Sequence, residues 1–167
     1  MPNITIGIDP GCTGAIAVVL DGYKYLAHLN MPTVKVGTKS RVNGAVVASF
    51  LGGVIAHGPH DKFHVYIEQV GAMPGQGVSS TFTFGHAAGV VEGVVAALGL
   101  PYTMVTPQAW KKRAGLIGLD KDAARSMATK LFPNLRILDQ KGKGQAVADA
   151  ILLACYGDTG APKRSLL

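Results

Sequence analysis

The sequence predicts a mixed α/β layer structure in which three antiparallel strands open the fold and further strands alternate with helices. Short β-branched apolar runs near the N-terminus are separated by turn residues, which is typical of strands. Longer runs rich in Ala, Val and Leu then alternate with short apolar runs, as expected for helices packed on a sheet. The 167 residues contain no linker or repeat and suffice to bury one core. We therefore expect one domain over residues 1–160 and a short basic tail over 161–167.

The first three predicted strands follow each other closely. Thr5–Asp9 is joined to Ala15–Leu20 by a turn that contains Pro and Gly. The Asp-Gly pair at 21–22 is a hairpin signal, and a third strand over Tyr23–Leu29 follows it. Such short connections join antiparallel neighbours, so these strands are expected to lie side by side.

In the rest of the chain, predicted helices alternate with predicted strands. The remaining predicted elements are a polar loop over Met31–Asn43, a helix capped by Asn43 that runs through Phe50–Ile55, an interior strand over Phe63–Glu68, a helix over Phe84–Leu98, a strand over Tyr102–Val105, a helix after Thr106 that contains Trp110, a helix over Asp120–Leu131, and a last helix from Gln145 through Ala154.

Composition narrows the class of protein. No run of about 18 uninterrupted apolar residues is present, so no membrane span is predicted. The N-terminus lacks the order of a signal peptide and two cysteines do not suggest a disulfide scaffold, so we expect a cytoplasmic protein. The net charge of +6 favours a polyanionic partner, with nucleic acid the leading class.

Two acidic residues stand at the ends of predicted apolar strands, where a functional role would explain their charge. Asp9 and Glu68 each follow a buried run, where a carboxylate is expensive to desolvate unless its charge is used. Two neighbouring strand ends could bring them together. The other glutamate, Glu92, is expected on the solvent side of its helix. Asp149 lies in the last predicted helix beside a strongly apolar face.

Three acidic motifs occur in a characteristic order: GIDPG at 7–11, YIEQV at 66–70 and VADAILLA at 147–154. Together they resemble the RuvC family of Holliday-junction resolvases. The phage-type members are the most similar, through MPTVKVG at 31–37 and VTPQAWKK at 105–112. The resemblance implies a ribonuclease H-like fold, a twofold homodimer, and a structure-selective endonuclease that cuts two opposed strands of a four-way DNA junction with divalent metal.

By this resemblance Asp9, Glu68 and Asp149 are expected to be metal-binding catalytic acids. Phosphodiester hydrolysis needs an activated water and a stabilised leaving oxygen, and two Mg²⁺ or Mn²⁺ ions about 3.5 to 4 Å apart supply both. Hard cations take oxygen ligands and relieve the repulsion between clustered acids. Asp9 is expected to bridge both ions.

One position departs from the family pattern. The family places a fourth acid or a histidine about one helical turn before the acid matched by Asp149, but Gln145 and Ala146 stand here. Asp139 could reach the site from its loop, Gln145 could coordinate weakly through its amide oxygen, or water could serve. The alternative function is therefore a structure-selective branched-DNA-binding protein with weak or absent cleavage.

Basic residues are the candidates for contacts to DNA phosphate. Lys111 and Lys112 match a basic position of the family, as does Lys121, and these three are candidates close to the cut. A solvated basic face explains any single lysine equally well. The expected contacts to the DNA backbone also include Lys35, Lys39, Arg41, Lys141 and Lys143.

The segment after Glu68 is expected to be a flexible loop or an ordinary surface turn. RuvC proteins often carry an aromatic wedge here, and this chain offers Met73, with Phe82 and Phe84 farther on. Both phenylalanines are expected in the core. Cys12 and Cys155 are expected to be small buried residues.

The first hairpin also has a pattern found in another class of phosphate-binding proteins. Its Asp-x-Gly pattern is similar to that of actin- and hexokinase-type enzymes, but their fold needs two subdomains and 167 residues are too few.

Overall fold

The computed structural model describes residues 4–57, 62–69, 71–72, 74–158 and 160. The predicted tail over 161–167 and Met73 lie outside the described residues. The elements in chain order are β1 Ile4–Ile8, β2 Ala15–Leu20, β3 Lys24–Asn30, β4 Thr33–Val36, β5 Lys39–Val42, α1 Gly44–Ile55, β6 Phe63–Glu68, α2 Val78–Ala97, β7 Tyr102–Val105, α3 Pro107–Arg113, α4 Ala123–Leu131, a 3₁₀ turn Arg136–Asp139, and α5 Lys141–Tyr156.

The main sheet of the described chain has five strands in the order β3-β2-β1-β6-β7. Strands β1, β2 and β3 pair antiparallel, whereas β1 with β6 and β6 with β7 pair parallel. This topology confirms the predicted mixed sheet. Ile8 lies opposite Ile67, so the next residues, Asp9 and Glu68, stand at the same edge of the sheet.

Helices cover both faces of the sheet. Ile6, Ile8, Val65 and Ile67 pack with α1 and α2 on one face. The opposite face packs against α5, with α3 and α4 completing that layer. Because side chains alternate along a strand, Asp9 and Glu68 point to the α5 face.

A close approach of helix to strand fixes the position of α5. A Cβ atom built at Gly7 would overlap the carbonyl oxygen of Ala150 and lie 2.6 Å from the backbone nitrogen of Ala154. The absence of a side chain at Gly7 therefore allows α5 to pack directly on β1. Asp149 precedes Ala150, so this contact also fixes where the third acid stands relative to the end of β1.

The polar loop predicted over Met31–Asn43 is wrong. Thr33–Val36 and Lys39–Val42 pair as a separate antiparallel hairpin, with Gly37 at φ +62° in its turn. The alternation of Val34 and Val36 with polar neighbours is typical of a strand. This pattern is weak here because most of the hairpin is exposed and its other residues are largely polar or charged.

Two helices begin earlier than predicted. Helix α2 begins at Val78 instead of Phe84, through a Ser- and Thr-rich segment that reads as a loop. Helix α5 begins at Lys141 instead of Gln145. Its early glycines look like loop residues, but Gly144 packs so tightly that a Cβ there would lie 2.5 Å from the Ile137 carbonyl oxygen. Tertiary contact thus outweighs local propensity at this end.

Capping residues account for two other helix starts. The Asn43 side chain accepts a hydrogen bond from the Val46 amide, which confirms the predicted cap of α1. Thr106 caps α3 by accepting from the Ala109 amide. Helix α4 begins at Ala123, three residues after the predicted start at Asp120.

Some expectations about burial are also wrong. Phe82 is 63% exposed and Phe84 37% exposed, because both lie in the early turns of α2 that project beyond the core. Glu92 is half-buried, because it turns toward the sheet and accepts a hydrogen bond from the Tyr102 hydroxyl at 2.8 Å. Both cysteines are half-buried rather than buried.

The helices of the described residues contain at most 20 residues each. None of them is both long enough and apolar enough for a membrane span.

Candidate active site

Asp9 is held by the turn that follows β1. Its Oδ1 accepts a hydrogen bond from the Gly11 amide at 3.1 Å. The turn folds back so tightly that a Cβ at Gly14 would lie 2.7 Å from the Asp9 carboxyl carbon. The glycines of this turn therefore wrap backbone around the carboxylate and fix its direction.

Glu68 is held by a residue that the sequence did not single out for this purpose. The indole Nε1–H of Trp110 donates to Glu68 Oε2 at 2.8 Å. Trp110 is fully buried in the α5-side core, so its ring is a rigid support. The available signal is that Trp110, the one tryptophan of the sequence, directly precedes Lys111.

Asp149 enters from α5. Gln145, one helical turn earlier, donates its Nε2–H to Asp149 Oδ1 at 3.1 Å. With Asp9, both residues line a cavity of about 790 Å³. They also line a neighbouring cavity of about 290 Å³ that contains Lys111 and Lys121. The Gln145–Asp149 pair thus forms the boundary between two parts of one concave surface.

The three carboxylates act on one another electrostatically. The pKa of Glu68 is raised to about 7, chiefly by burial and in part by the charges of Asp9 and Asp149, while Trp110 and Lys111 lower it. The pKa of Asp149 is raised to about 6, again chiefly by burial and in part by Asp9, while Lys111 and the hydrogen bond from Gln145 lower it. The pKa of Asp9 is likewise raised, chiefly by burial. The structure therefore brings all three predicted acids into one region.

Lys111 is the cation shared by these acids. It is half-buried, and its Nζ lies 5.3 Å from the centre of the Trp110 ring. Its charge lowers the pKa of each of the three carboxyls. One lysine thus faces three carboxylates, and negative charge is in excess.

The donor chemistry fits a hard divalent cation. The candidate ligands are oxygens, which Mg²⁺ and Mn²⁺ prefer. Among the described residues, no three side chains of the His, Cys, Asp and Glu types are close enough to enclose a metal ion by themselves. An open arrangement suits Mg²⁺, which keeps several waters and uses one or two carboxylates together with substrate phosphate.

The structure distinguishes between the candidates for a fourth metal ligand. Asp139 is exposed and pairs with Arg136 at 3.4 Å, outside the residues that line the cavities. Ala146 lines the larger cavity but carries no donor atom. Gln145 lies beside Asp149, and its buried Oε1 has no hydrogen-bond partner among the described residues.

Four of the six other predicted basic residues fall into two groups. Lys141 and Lys143 line the larger cavity with the acids. Lys39 and Arg41 line a small cavity with Phe82 and His86 beside α2. The exposed Lys35 and Lys112 line none of the cavities described here.

A fourth cavity lies between these two groups. It has a volume of about 390 Å³ and shares Cys12 and Thr13 with the acid-lined cavity. It also contains Lys39, whose Nζ donates to Ser79 Oγ at 2.6 Å. A row of neighbouring cavities that share lining residues therefore leads from the region of Lys121, past Asp149 and Asp9, to that of Arg41.

Solved structures with this architecture are known. RuvC of Thermus thermophilus superposes with a TM-score of 0.56 at 18% sequence identity, covering 98% of this chain and 99% of the other. The chain has the RuvC fold. Thermus thermophilus RuvC in complex with a Holliday junction substrate also matches, with a TM-score of 0.56 at 16% identity and 93% coverage of each chain.

A curated relative of this RuvC-like chain is the chloroplastic Holliday junction resolvase MOC1 of Chlamydomonas reinhardtii. The two are 29% identical over 92 residues, which is 54% of this chain and 10% of the relative. The chain thus spans about a tenth of that protein's length. The sequence matches no family model. These similarities confirm the resemblance to RuvC-like resolvases that the three acidic motifs predicted.

Proposed function

We propose that this RuvC-like chain is a structure-selective endonuclease that binds four-way DNA junctions and hydrolyses one phosphodiester bond in each of two opposed strands, using Mg²⁺ or Mn²⁺. The observation that carries the proposal is the convergence of three carboxylates, from two adjacent strand ends and one helix, which lie close enough to one another and to Lys111 to interact electrostatically. Asp9 and Asp149 also line the same cavity. The names of the similar proteins support the substrate: one is a Holliday junction resolvase, and one structure holds a Holliday junction.

Asp9, Glu68 and Asp149 would hold the divalent ions. Such ions, when bound, supply an activated water and charge stabilisation for the leaving oxygen. The protein's part is to fix the oxygens. The Gly11 amide orients Asp9, and the Trp110 indole orients Glu68 by donating to its Oε2.

DNA would follow this row of neighbouring cavities. Lys111 and Lys121 lie on one side of Asp149, and Lys141 and Lys143 lie on the other. These positions suit contacts to phosphates on both sides of the reacting one. Such contacts position a strand without reading its sequence and weaken as salt rises.

Paired cleavage requires a second active site, and we propose a twofold homodimer. Helix α2 supports this assembly. Gly85, Gly89 and Gly93 recur every four residues on it, and a Cβ at any of them meets nothing within 4 Å. Phe82 adds an exposed apolar side chain to the same helix. A second copy could approach this surface closely.

Cleavage of a synthetic four-way junction tests the nuclease proposal. We expect symmetric nicks with Mg²⁺ or Mn²⁺, and no nicks with Asp9→Asn, which should still bind the junction. Equal nicking by the wild type and Asp9→Asn would exclude Asp9 from the chemistry. Sedimentation of the chain with and without junction DNA tests the homodimer, and a monomer in both conditions would contradict it.

A branched-DNA-binding protein is the alternative. It is favoured by Gln145 and Ala146, which leave the site without a fourth anionic or histidine ligand. Tight junction binding with no nicking in either metal would establish it and refute the nuclease.

A further inference from the structure

We propose that the amide oxygen of Gln145 is a neutral ligand of the divalent cation bound beside Asp149, taking the part of a fourth acid. This inference rests on the proposed function, because it assigns one more oxygen to the same site.

The first observation is a buried acceptor without a donor. Gln145 Oε1 is inaccessible to solvent and has no hydrogen-bond partner among the described residues. A buried polar atom in this condition is strongly unfavourable, and most such atoms in folded proteins are satisfied. A bound cation would satisfy it.

The second observation fixes which end of the amide is available. The Nε2–H group donates to the Asp149 carboxylate at 3.1 Å. The reverse orientation would place the amide oxygen against a carboxylate oxygen, and neither atom could donate. The contact with Asp149 therefore leaves the oxygen as the free end of the Gln145 side chain.

The third observation is the placement of Gln145. It lies four residues before Asp149 on α5, so the two side chains share one helix face. Both line the acid cavity with Asp9 and the smaller cavity with Lys111. Amide oxygens are accepted ligands of hard divalent cations. The other candidate, Asp139, lies outside these lining residues and pairs with Arg136.

A neutral ligand at position 145 predicts how the affinity for the cation changes with the charge of that side chain. Substituting a carboxylate should strengthen cation binding, and removing the oxygen should weaken it. We therefore expect Gln145→Glu to bind Mn²⁺ about tenfold more tightly or better. Gln145→Met keeps the length of the side chain without its oxygen and should bind Mn²⁺ about 10- to 100-fold more weakly.

The experiment measures Mn²⁺ binding to the full chain by electron paramagnetic resonance, without DNA. Water-proton relaxation of the same samples counts the waters bound directly to Mn²⁺, and Gln145→Met should add about one. Asp139→Ala is the matched control and should leave both readouts unchanged. Circular dichroism establishes that each variant is folded, and Gln145→Ala replaces Gln145→Met should the latter fail to fold.

The two proposals fail in different ways. Loss of Mn²⁺ binding in Asp9→Asn, with unchanged affinity and water count in Gln145→Met, would overturn the role of Gln145 and keep the metal site. Weaker binding in Asp139→Ala and not in Gln145→Met would transfer the role to Asp139. No Mn²⁺ binding by the wild type would overturn both proposals.

Discussion

Replacing Trp110 by Phe tests how the protein tunes Glu68. The substitution keeps an aromatic ring in the core and removes the indole N–H that donates to Glu68 Oε2 at 2.8 Å. This hydrogen bond favours the charged carboxylate and opposes the effect of burial, and the pKa of Glu68 with the bond in place is raised to about 7. Its removal should raise that pKa further.

The magnitude follows from the type of bond. A hydrogen bond to a charged group contributes about 1.5 to 3 kcal/mol, and 1.36 kcal/mol corresponds to about one pKa unit. We therefore expect the pKa of Glu68 to rise by about one to two units in Trp110→Phe. At neutral pH most Glu68 side chains would then be protonated and unable to bind a cation. Junction cleavage should lose activity near pH 7 and regain it at higher pH.

The sequence makes this pKa directly measurable. Glu68 and Glu92 are its two glutamates, so side-chain ¹³C-labelled glutamate gives two carboxyl NMR signals to follow against pH. Tyr102→Phe is the matched control, since it removes a 2.8 Å hydrogen bond to the other glutamate, Glu92. Glu68 should titrate in that variant as in the wild type. An unchanged Glu68 titration in folded Trp110→Phe would refute the assigned role of the indole.

Three further outcomes are expected. Because the pKa values of Glu68 and Asp149 are raised to about 7 and about 6, the metal-free folded state holds these protons more tightly than the unfolded state. The stability that these two groups contribute should be fully present below about pH 4 and should be lost as the pH rises to about 7. Asp9→Asn should reduce that loss of stability. Melting temperatures of the wild type and the variant, measured against pH in EDTA, test both expectations. Gly7→Val should destabilise the fold by about 3 kcal/mol or more in urea unfolding, because its side chain would strike the backbone of α5; wild-type stability would contradict the close packing. Lys141→Gln should weaken junction binding and reduce its logarithmic salt slope by about one, and an unchanged slope would exclude a phosphate contact.

The sequence predicts the sheet well because its strands carry strong local signals. The β-branched runs that end at Asp9 and Glu68 are buried in a central pair of parallel strands. The β4–β5 hairpin escapes prediction because its side chains are mostly exposed, and a strand without a buried face has a weak pattern. The start of α5 escapes it for another reason. Gly144 is used for close packing against the Ile137 carbonyl, a contact that sequence alone does not reveal.

The site shows the same division. The sequence predicts the acids from their positions after apolar runs and from their motifs. It does not predict the contact between Trp110 and Glu68, because the two are 42 residues apart and meet through tertiary packing. The free oxygen of Gln145 also required the structure, since only the observed contact with Asp149 decides which end of the amide is used.

The charge at the site favours a metal-dependent reaction over simple DNA binding. DNA is a polyanion, and a phosphate that approaches Asp9, Glu68 and Asp149 meets three carboxylates that Lys111 neutralises only in part. The carboxylates cannot easily move apart, because they are fixed on strands and on a helix that contacts β1 through Gly7. At neutral pH the repulsion is relieved by protons or by cations. Protons would remove the ligands, whereas a divalent cation would neutralise the cluster and attract the phosphate at once. Addition of Mg²⁺ should therefore strengthen junction binding by the wild type more than by Asp9→Asn, and equal strengthening would contradict this reasoning.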